Sequence, residues 1–261
     1  MAEAPSEPLT IQYGVRSDVG LVREGNEDSV YAGGRLLVVA DGMGGHAHGE
    51  VASATAIEAL RPLDIAVPDD ELLPALEEAV LRAGDSLHEK VEADPELRGM
   101  GTTLTALLWS GSRLGLAHIG DSRAYLVRAR EVFQITRDHT LVQSLVDDGK
   151  ITEAEMETHP KRNLLLRALD GEHGCTPDLE LLEAEAGDRY LLSSDGLHGV
   201  VSSAAISRVL LEVTDPDEAA SELVRLAIEG GAPDNVTVIV ADVVPAAKTL
   251  PFPTSPEPAD A

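Results

Sequence analysis

Apolar residues follow two rhythms along this chain: short runs closed by glycine or polar residues, and longer stretches in which they recur every third or fourth position. The first rhythm predicts strands and the second helices. Ile11 to Val15 predicts a first strand. Ser29 to Ala32 predicts a second, paired across Gly33-Gly34 with a third from Arg35 to Ala40, because two glycines between extended segments signal a hairpin. The run Leu36-Leu37-Val38-Val39-Ala40 reads as a buried strand with Asp41 at its end, before the turn Gly42-Met43-Gly44-Gly45-His46. From Gly49 the spacing is helical, with Val51, Ala54, Ile57 and Leu60 on one stripe. Leu72, Leu76, Val80, Ala83, Leu87 and Val91 mark a second long helix.

Extended segments follow at Thr102 to Ser110, Arg113 to Ile119, Ser122 to Arg128 and Glu131 to Ile135, and connections as short as Gly111-Ser112 predict antiparallel neighbours. Residues 138–174 break the rhythm. Helical patterns at Leu141, Leu145 and Val146 and at Glu153 to Met156 sit there among polar residues, as in a lid or flap. Strands return at Leu179 to Glu183 and Arg189 to Ser194, helices at Ala204 to Leu211 and Glu218 to Ile228, and Val236 to Val243 is a last strand. Helices and antiparallel strands thus come in separate runs rather than as alternating βαβ units. This predicts an α+β fold, two stacked antiparallel sheets flanked by helices. One domain is expected over residues 10–244, with residues 1–9 and the Pro-rich stretch 245–261 as disordered ends.

Composition narrows the partners. A formal charge of −26 repels phosphate backbones and anionic lipid, and no apolar run is long enough to span a bilayer. The single cysteine, Cys175, cannot form an internal disulfide. The expectation is a cytoplasmic monomer that binds neither nucleic acid nor membrane.

Three readings compete for Asp41. Asp-Gly alone is turn chemistry. Gly42, Gly44 and Ala47 spell G-x-G-x-x-A, with Asp64 following roughly 20 residues on, which suits a dinucleotide fold; yet Asp41 would then point negative charge at a pyrophosphate. As a metal ligand, Asp41 would act beside a Gly42 carbonyl that no side chain screens. Asp121, Asp195 and Asp234 likewise stand at strand termini beside glycine or proline. Strand ends meeting at one edge would bring these acids together, where they repel unless cations lie between them. An oxygen-only donor set suits Mg²⁺ or Mn²⁺ rather than zinc, and nothing at helical spacing supports the His46-x-His48 pair as a zinc site.

Six motifs in order then resemble one family: Arg23 with Asn26-Glu27-Asp28, Asp41-Gly42-Met43-Gly44-Gly45-His46, Gly101-Thr102-Thr103, Gly120-Asp121-Ser122-Arg123, Ser194-Asp195-Gly196 and Asp234-Asn235-Val236-Thr237. Over about residues 10 to 243 the chain is similar to the bacterial metal-dependent protein serine/threonine phosphatases of the PP2C type. The resemblance implies a helix-flanked β-sandwich with two tightly bound Mn²⁺ or Mg²⁺ ions. Asp41 would bridge them, the Gly42 carbonyl and Glu27 would serve one, and Asp195 and Asp234 the other. A third, weaker metal would sit at Asp121 with Asp195. Arg23 would bind the substrate phosphate, and residues 138–174 would form a flap beside the groove.

The implied reaction is hydrolysis of phosphoserine and phosphothreonine on proteins by a metal-bridging hydroxide, on substrates of serine/threonine kinases and on the kinases themselves. The rivals are a phosphoprotein-binding pseudo-phosphatase and a phosphatase of anti-sigma factor antagonists. Two positions depart from the family pattern. Met43 stands where eukaryotic relatives carry a histidine proposed as general acid, and Leu197-His198-Gly199 replaces the Leu-Ser-Asp of many bacterial members. His118 reads as a core residue rather than a ligand.

Overall fold

The computed structural model describes residues 9–44, 48–171 and 176–246. One sheet is ordered β1 (Leu9–Asp18), β11 (Val236–Pro245), β10 (Arg189–Ser193), β7 (Arg123–Arg128) and β8 (Glu131–Gln134). The other is ordered β2 (Asp28–Ala32), β3 (Leu36–Met43), β5 (Leu104–Trp109), β6 (Arg113–Ile119) and β9 (Asp178–Glu183), with β4 (Gly101–Thr102) added to the end of β3. Every pairing is antiparallel.

The unbroken apolar run of β3 follows from burial on both faces. Leu37 and Val39 enter the core between the sheets with Leu107, Leu116, Leu192 and Ile239. Leu36, Val38 and Ala40 point the other way, into the layer beneath α1 (Gly49–Leu60) and α2 (Leu72–Ala93). The stripe Leu72, Leu76, Val80, Ala83 and Leu87 of α2 is fully buried there, each large side chain contributing about 1.5–3 kcal/mol. On the opposite side α6 (Ser203–Glu212) and α7 (Pro216–Glu229) cover the first sheet through Ile206, Val209, Leu210 and Leu223. The predicted sandwich of two helix-flanked sheets is therefore what the chain forms. Short helices α3 (Leu141–Asp147) and α4 (Glu153–Glu157) occupy the irregular region, and α5 (Asp195–His198) follows β10.

Several expectations change. β3 does not stop at Asp41 but runs on to Met43, because Gly42 and Met43 pair with Thr102 and Gly101 of β4. The predicted strand from Thr102 splits at Thr103, whose N–H turns to Asp41 O (2.9 Å). β6 and β7 are not neighbours: the chain leaves one sheet and enters the other through Gly120–Ser122, with Gly120 at φ +106°, a conformation open to glycine. Leu9 and Pro245, assigned from sequence to the disordered ends, pair with each other in β1 and β11. Residues 1–8 and 247–261 lie outside the described residues, as do His46 and Cys175.

Asp64, the acid of the dinucleotide alternative, has another task. Its carboxylate accepts from the N–H groups of Arg35 (2.6 Å), Leu36 (3.2 Å) and Gly34 (3.3 Å) and from the Tyr31 hydroxyl (2.9 Å), closing the β2–β3 hairpin. Burial pushes this carboxyl up, but the bonds from Arg35, Tyr31, Gly34 and Leu36 together outweigh it and hold it below its ordinary value. Such a group stabilises the fold above its unfolded pKa, and the contribution disappears as pH falls through the folded value. Asp64→Ala is expected to cost about 1–3 kcal/mol in urea unfolding at pH 7, with the gap to the parent closing below about pH 4.

Candidate metal centre

Antiparallel pairing decides which residues share an edge. β11 begins where β10 ends: Ser193 stands opposite Val238 and the Ser194 N–H donates to Thr237 O (3.0 Å), which puts Asp195 and Asp234 at the same end. In the other sheet Asp28 stands opposite Asp41 across the β2–β3 ladder, and Ile119, just before the Gly120-Asp121 turn, pairs with Leu104. The two sheets are joined at this edge. Ser194 Oγ donates to Asp28 Oδ2 (2.8 Å), and Thr103 Oγ1, which accepts from the Asp41 N–H (3.0 Å), lies 2.7 Å from Ser122 Oγ.

The acids feel one another. Burial, then Asp28, Asp195, Asp121 and Asp234, raise the Asp41 carboxyl well above its ordinary value. Burial, then Asp195 and Asp138, push Asp121 up to about 8. Burial lifts Asp28 to about 6 despite hydrogen bonds from Thr237 and Ser194, with Asp195 and Asp234 adding to the rise. Asp195 is raised by burial and by Asp234, against a hydrogen bond with Asp41. Among the described residues no three acid, histidine or cysteine side chains converge as a closed chelate. The arrangement is a set of donors within Coulombic reach of each other.

That set fits hard divalent cations. It is oxygen-only, and its excess negative charge is the kind that an ion relieves. The backbone at Gly42 is approached as only glycine allows. A Cβ there would lie 2.2 Å from Gly49 O and 2.5 Å from Glu27 O, and a Cβ on Gly49 would lie 2.6 Å from Glu27 Oε2. The two glycines thus let the Glu27 main chain pack against Gly42 and the Glu27 carboxylate against Gly49.

Arg23 is carried by a loop that Asn235 pins. The Asn235 side chain donates to Val19 O and Gly25 O (2.9 Å each) and accepts from the Glu27 N–H (2.8 Å), while the Leu21 N–H reaches Ala232 O (2.9 Å). From this platform Arg23 Nη2 donates to Asp234 Oδ2 (2.7 Å) with the guanidinium half exposed. Pairing with Glu24 or Glu27, the plain surface alternative, is not the contact it makes.

The histidines separate clearly. His118 is buried between Thr105 Oγ1 (3.0 Å) and Arg137 O (3.1 Å), and burial, then His139, hold it down to about 4, so it is a core residue as expected. The His198 Nδ1 atom is buried without a hydrogen-bond partner, and burial, then Arg123, push this imidazole well below its ordinary value. Both effects disfavour the charged form of this ring.

A family profile described as Protein phosphatase 2C matches residues 24–227. The chain belongs to this family. It is 56% identical over 236 residues to "Serine/threonine protein phosphatase PstP" of Mycobacterium tuberculosis, covering 90% of this chain and 46% of that protein. This chain therefore spans about half the length of that relative. It is 33% identical over 239 residues to "Serine/threonine phosphatase stp" of Listeria innocua, covering 87% of this chain and 94% of the relative. The crystal structure of the Mycobacterium tuberculosis phosphatase superposes with a TM-score of 0.88 at 55% identity, covering 90% of this chain and 99% of that one. A structure of the PstP catalytic domain in complex with 2 manganese ions gives 0.85 at 55% identity, with the same coverage.

In this protein phosphatase 2C family member, sequence reasoning named Arg23, Glu27, Asp41, Gly42, Asp121, Asp195 and Asp234 as site residues, quoted Asp28 and Asn235 only as neighbours within motifs, and gave no part to His139. Asp28 was within reach, since a hairpin across Gly33-Gly34 puts it opposite Asp41 once the register is counted. A carboxyl raised by folding costs stability as pH climbs from its unfolded value, about 3.9, towards its folded one. In chelator, Asp121→Asn should therefore stabilise the fold at pH 8, by on the order of 2 kcal/mol, and raise the melting temperature accordingly, with the advantage shrinking as pH is lowered towards 5. Calorimetry across that range checks it; a gap independent of pH would place the effect elsewhere.

Proposed function

We propose that this chain hydrolyses phosphoserine and phosphothreonine on proteins, using two tightly held Mn²⁺ or Mg²⁺ ions and a third, weaker one. The observation that carries this reading is the gathering of Asp28, Asp41, Asp121, Asp195 and Asp234 at one sheet edge, with Arg23 reaching over it. The names of the relatives support the substrate class, and the manganese of a related catalytic domain supports the cofactor.

On this reading Asp41 serves both tight sites, the Gly42 carbonyl and Glu27 one of them, Asp195 and Asp234 the other, and Asp121 with Asp195 the weak one. Cations held there would supply Lewis acidity and make hydroxide available at neutral pH by lowering the pKa of water. The protein's own groups do the rest. Arg23 offers a planar fork that can exchange its contact with Asp234 for two phosphate oxygens, a geometry lysine lacks. Asn235 keeps that fork from drifting. Met43 has no proton to give the departing serine or threonine oxygen; on this reading an ordered water is the donor, and His46, His48 and His198 are the alternatives that single replacements by alanine would test. The substrates are proteins phosphorylated by serine/threonine kinases, and those kinases themselves, met by a monomer in the cytoplasm. No helix among the described residues is long and apolar enough to cross a membrane.

Hydrolysis of a phosphothreonine peptide should require Mn²⁺ or Mg²⁺ and stop in chelator. Asp41→Asn, Asp195→Asn and Asp234→Asn should each lose at least about a hundredfold in kcat while remaining folded by circular dichroism. Full turnover after exhaustive metal removal would refute the reading. Arg23→Ala should act mainly on KM for phosphate esters, raising it about tenfold, because the contact is made to the ground-state phosphate as well. Steady-state kinetics decide, and a loss confined to kcat would take Arg23 out of substrate binding.

A further inference from the structure

Among the described residues the two most exposed large apolar side chains are Val22 (68%) and Leu21 (62%), and they stand directly before Arg23. Val19, also exposed, belongs to the same loop between β1 and β2. One exposed aliphatic residue carries no message, but three within four positions form a patch, and this one adjoins the acidic edge through Arg23 and Asp234.

The loop cannot hide these side chains by folding inward, because it is tied down at both ends. At its start Asp18 Oδ1 accepts from the Gly20 N–H (2.8 Å), and the Leu21 N–H donates to Ala232 O (2.9 Å). Gly20 stands at φ +76°, and a Cβ there would lie 2.2 Å from Asp234 O and 2.8 Å from Ala232 O, so the main chain is seated on the stretch that leads into β11. At its end Asn235 Nδ2 donates to Gly25 O (2.9 Å) and Asn26 Nδ2 to Ser17 Oγ (2.9 Å). Between these ties residues 21–24 are all exposed, with Arg23 leaning back on Asp234.

The surroundings decide what such a patch accepts. Asp18 and Glu24 flank it in the loop and Asp234 bonds Arg23, in a chain of net charge −26, so an acidic stretch of polypeptide is repelled. An aliphatic side chain is not, and its contact with Leu21 and Val22 takes apolar surface of both partners out of water. The spacing also matches. Consecutive Cα atoms lie about 3.8 Å apart in the loop and in a bound polypeptide alike, so a phosphorylated residue held at Arg23 has its first and second neighbours within reach of Val22 and Leu21.

We propose that Leu21 and Val22 are specificity-determining residues that receive an apolar side chain of the substrate polypeptide next to its phosphorylated residue. This role deepens the phosphatase reading and rests on it.

Steady-state kinetics of the full chain in saturating Mn²⁺ test the role, on phosphothreonine peptides of one length that carry Leu, Ser, Glu or Lys at both neighbours of the phosphothreonine. The Leu peptide should exceed the Ser peptide about tenfold in kcat/KM, mainly through KM, and the Glu peptide should be the poorest. Leu21→Ser combined with Val22→Thr, polar replacements at two exposed positions, should bring the Leu-to-Ser ratio close to one. A displaced Arg23 would slow both peptides and p-nitrophenyl phosphate by the same factor, so the ratio moves only when the apolar contact is lost. A ratio near one in the parent, an unchanged ratio in the double variant, or a Lys peptide ahead of the Leu peptide overturns the proposal and leaves the phosphatase reading standing. No turnover of any peptide refutes that reading, and this proposal with it.

Discussion

Like charges crowded out of water constrain this molecule more than any other interaction in it. Asp28, Asp41, Asp121 and Asp195 are all lifted above the ordinary carboxylate range by burial and by one another. A carboxyl raised in this way works against the fold wherever it is ionised. What opposes it is the sandwich behind: three apolar layers, one between the sheets and one under each pair of helices, with strands paired on both sides up to the acidic edge. The edge can be costly because the layers behind it are continuous and close-packed.

Local pattern was enough for the elements that pack through one simple period. The α2 stripe, the Gly33-Gly34 hairpin and the buried run of β3 are where hydrophobic spacing puts them. Non-local pairing was not legible. Nothing near Asp41 says that Gly101 and Thr102 will lengthen its strand, and nothing near Gly120 distinguishes a hairpin from a crossing between sheets, because the deciding partners lie about 20 to 70 residues away.

The candidate site divides in the same way. Acids beside glycine at strand termini can be picked out one by one, and their meeting at an edge is a fair inference from an antiparallel sandwich. Asp28 needs the β2–β3 register, Asn235 needs the path of the Val19–Gly25 loop, and His139 needs to be seen between Gly120 and Asp178. Asp28 and Asn235 stand inside motifs that the sequence offers and His139 stands in none, but in all three the partner lies far along the chain, so the task of the side chain is legible only once the fold brings the two together.

The ladder between β1 and β11 sets one more property. Its register runs from Leu9 opposite Pro245 to Asp18 opposite Val236, two residues from Asp234. Ten residues of strand at about 3.3 Å each measure about 30 Å. The points where the polypeptide joins and leaves the sandwich therefore lie side by side, at the pole remote from the acids. A tether, tag or further domain spliced on at either point would start about 30 Å from the groove, and two of them would start next to each other. The fold is thus suited to being carried on a leash without its working edge being blocked.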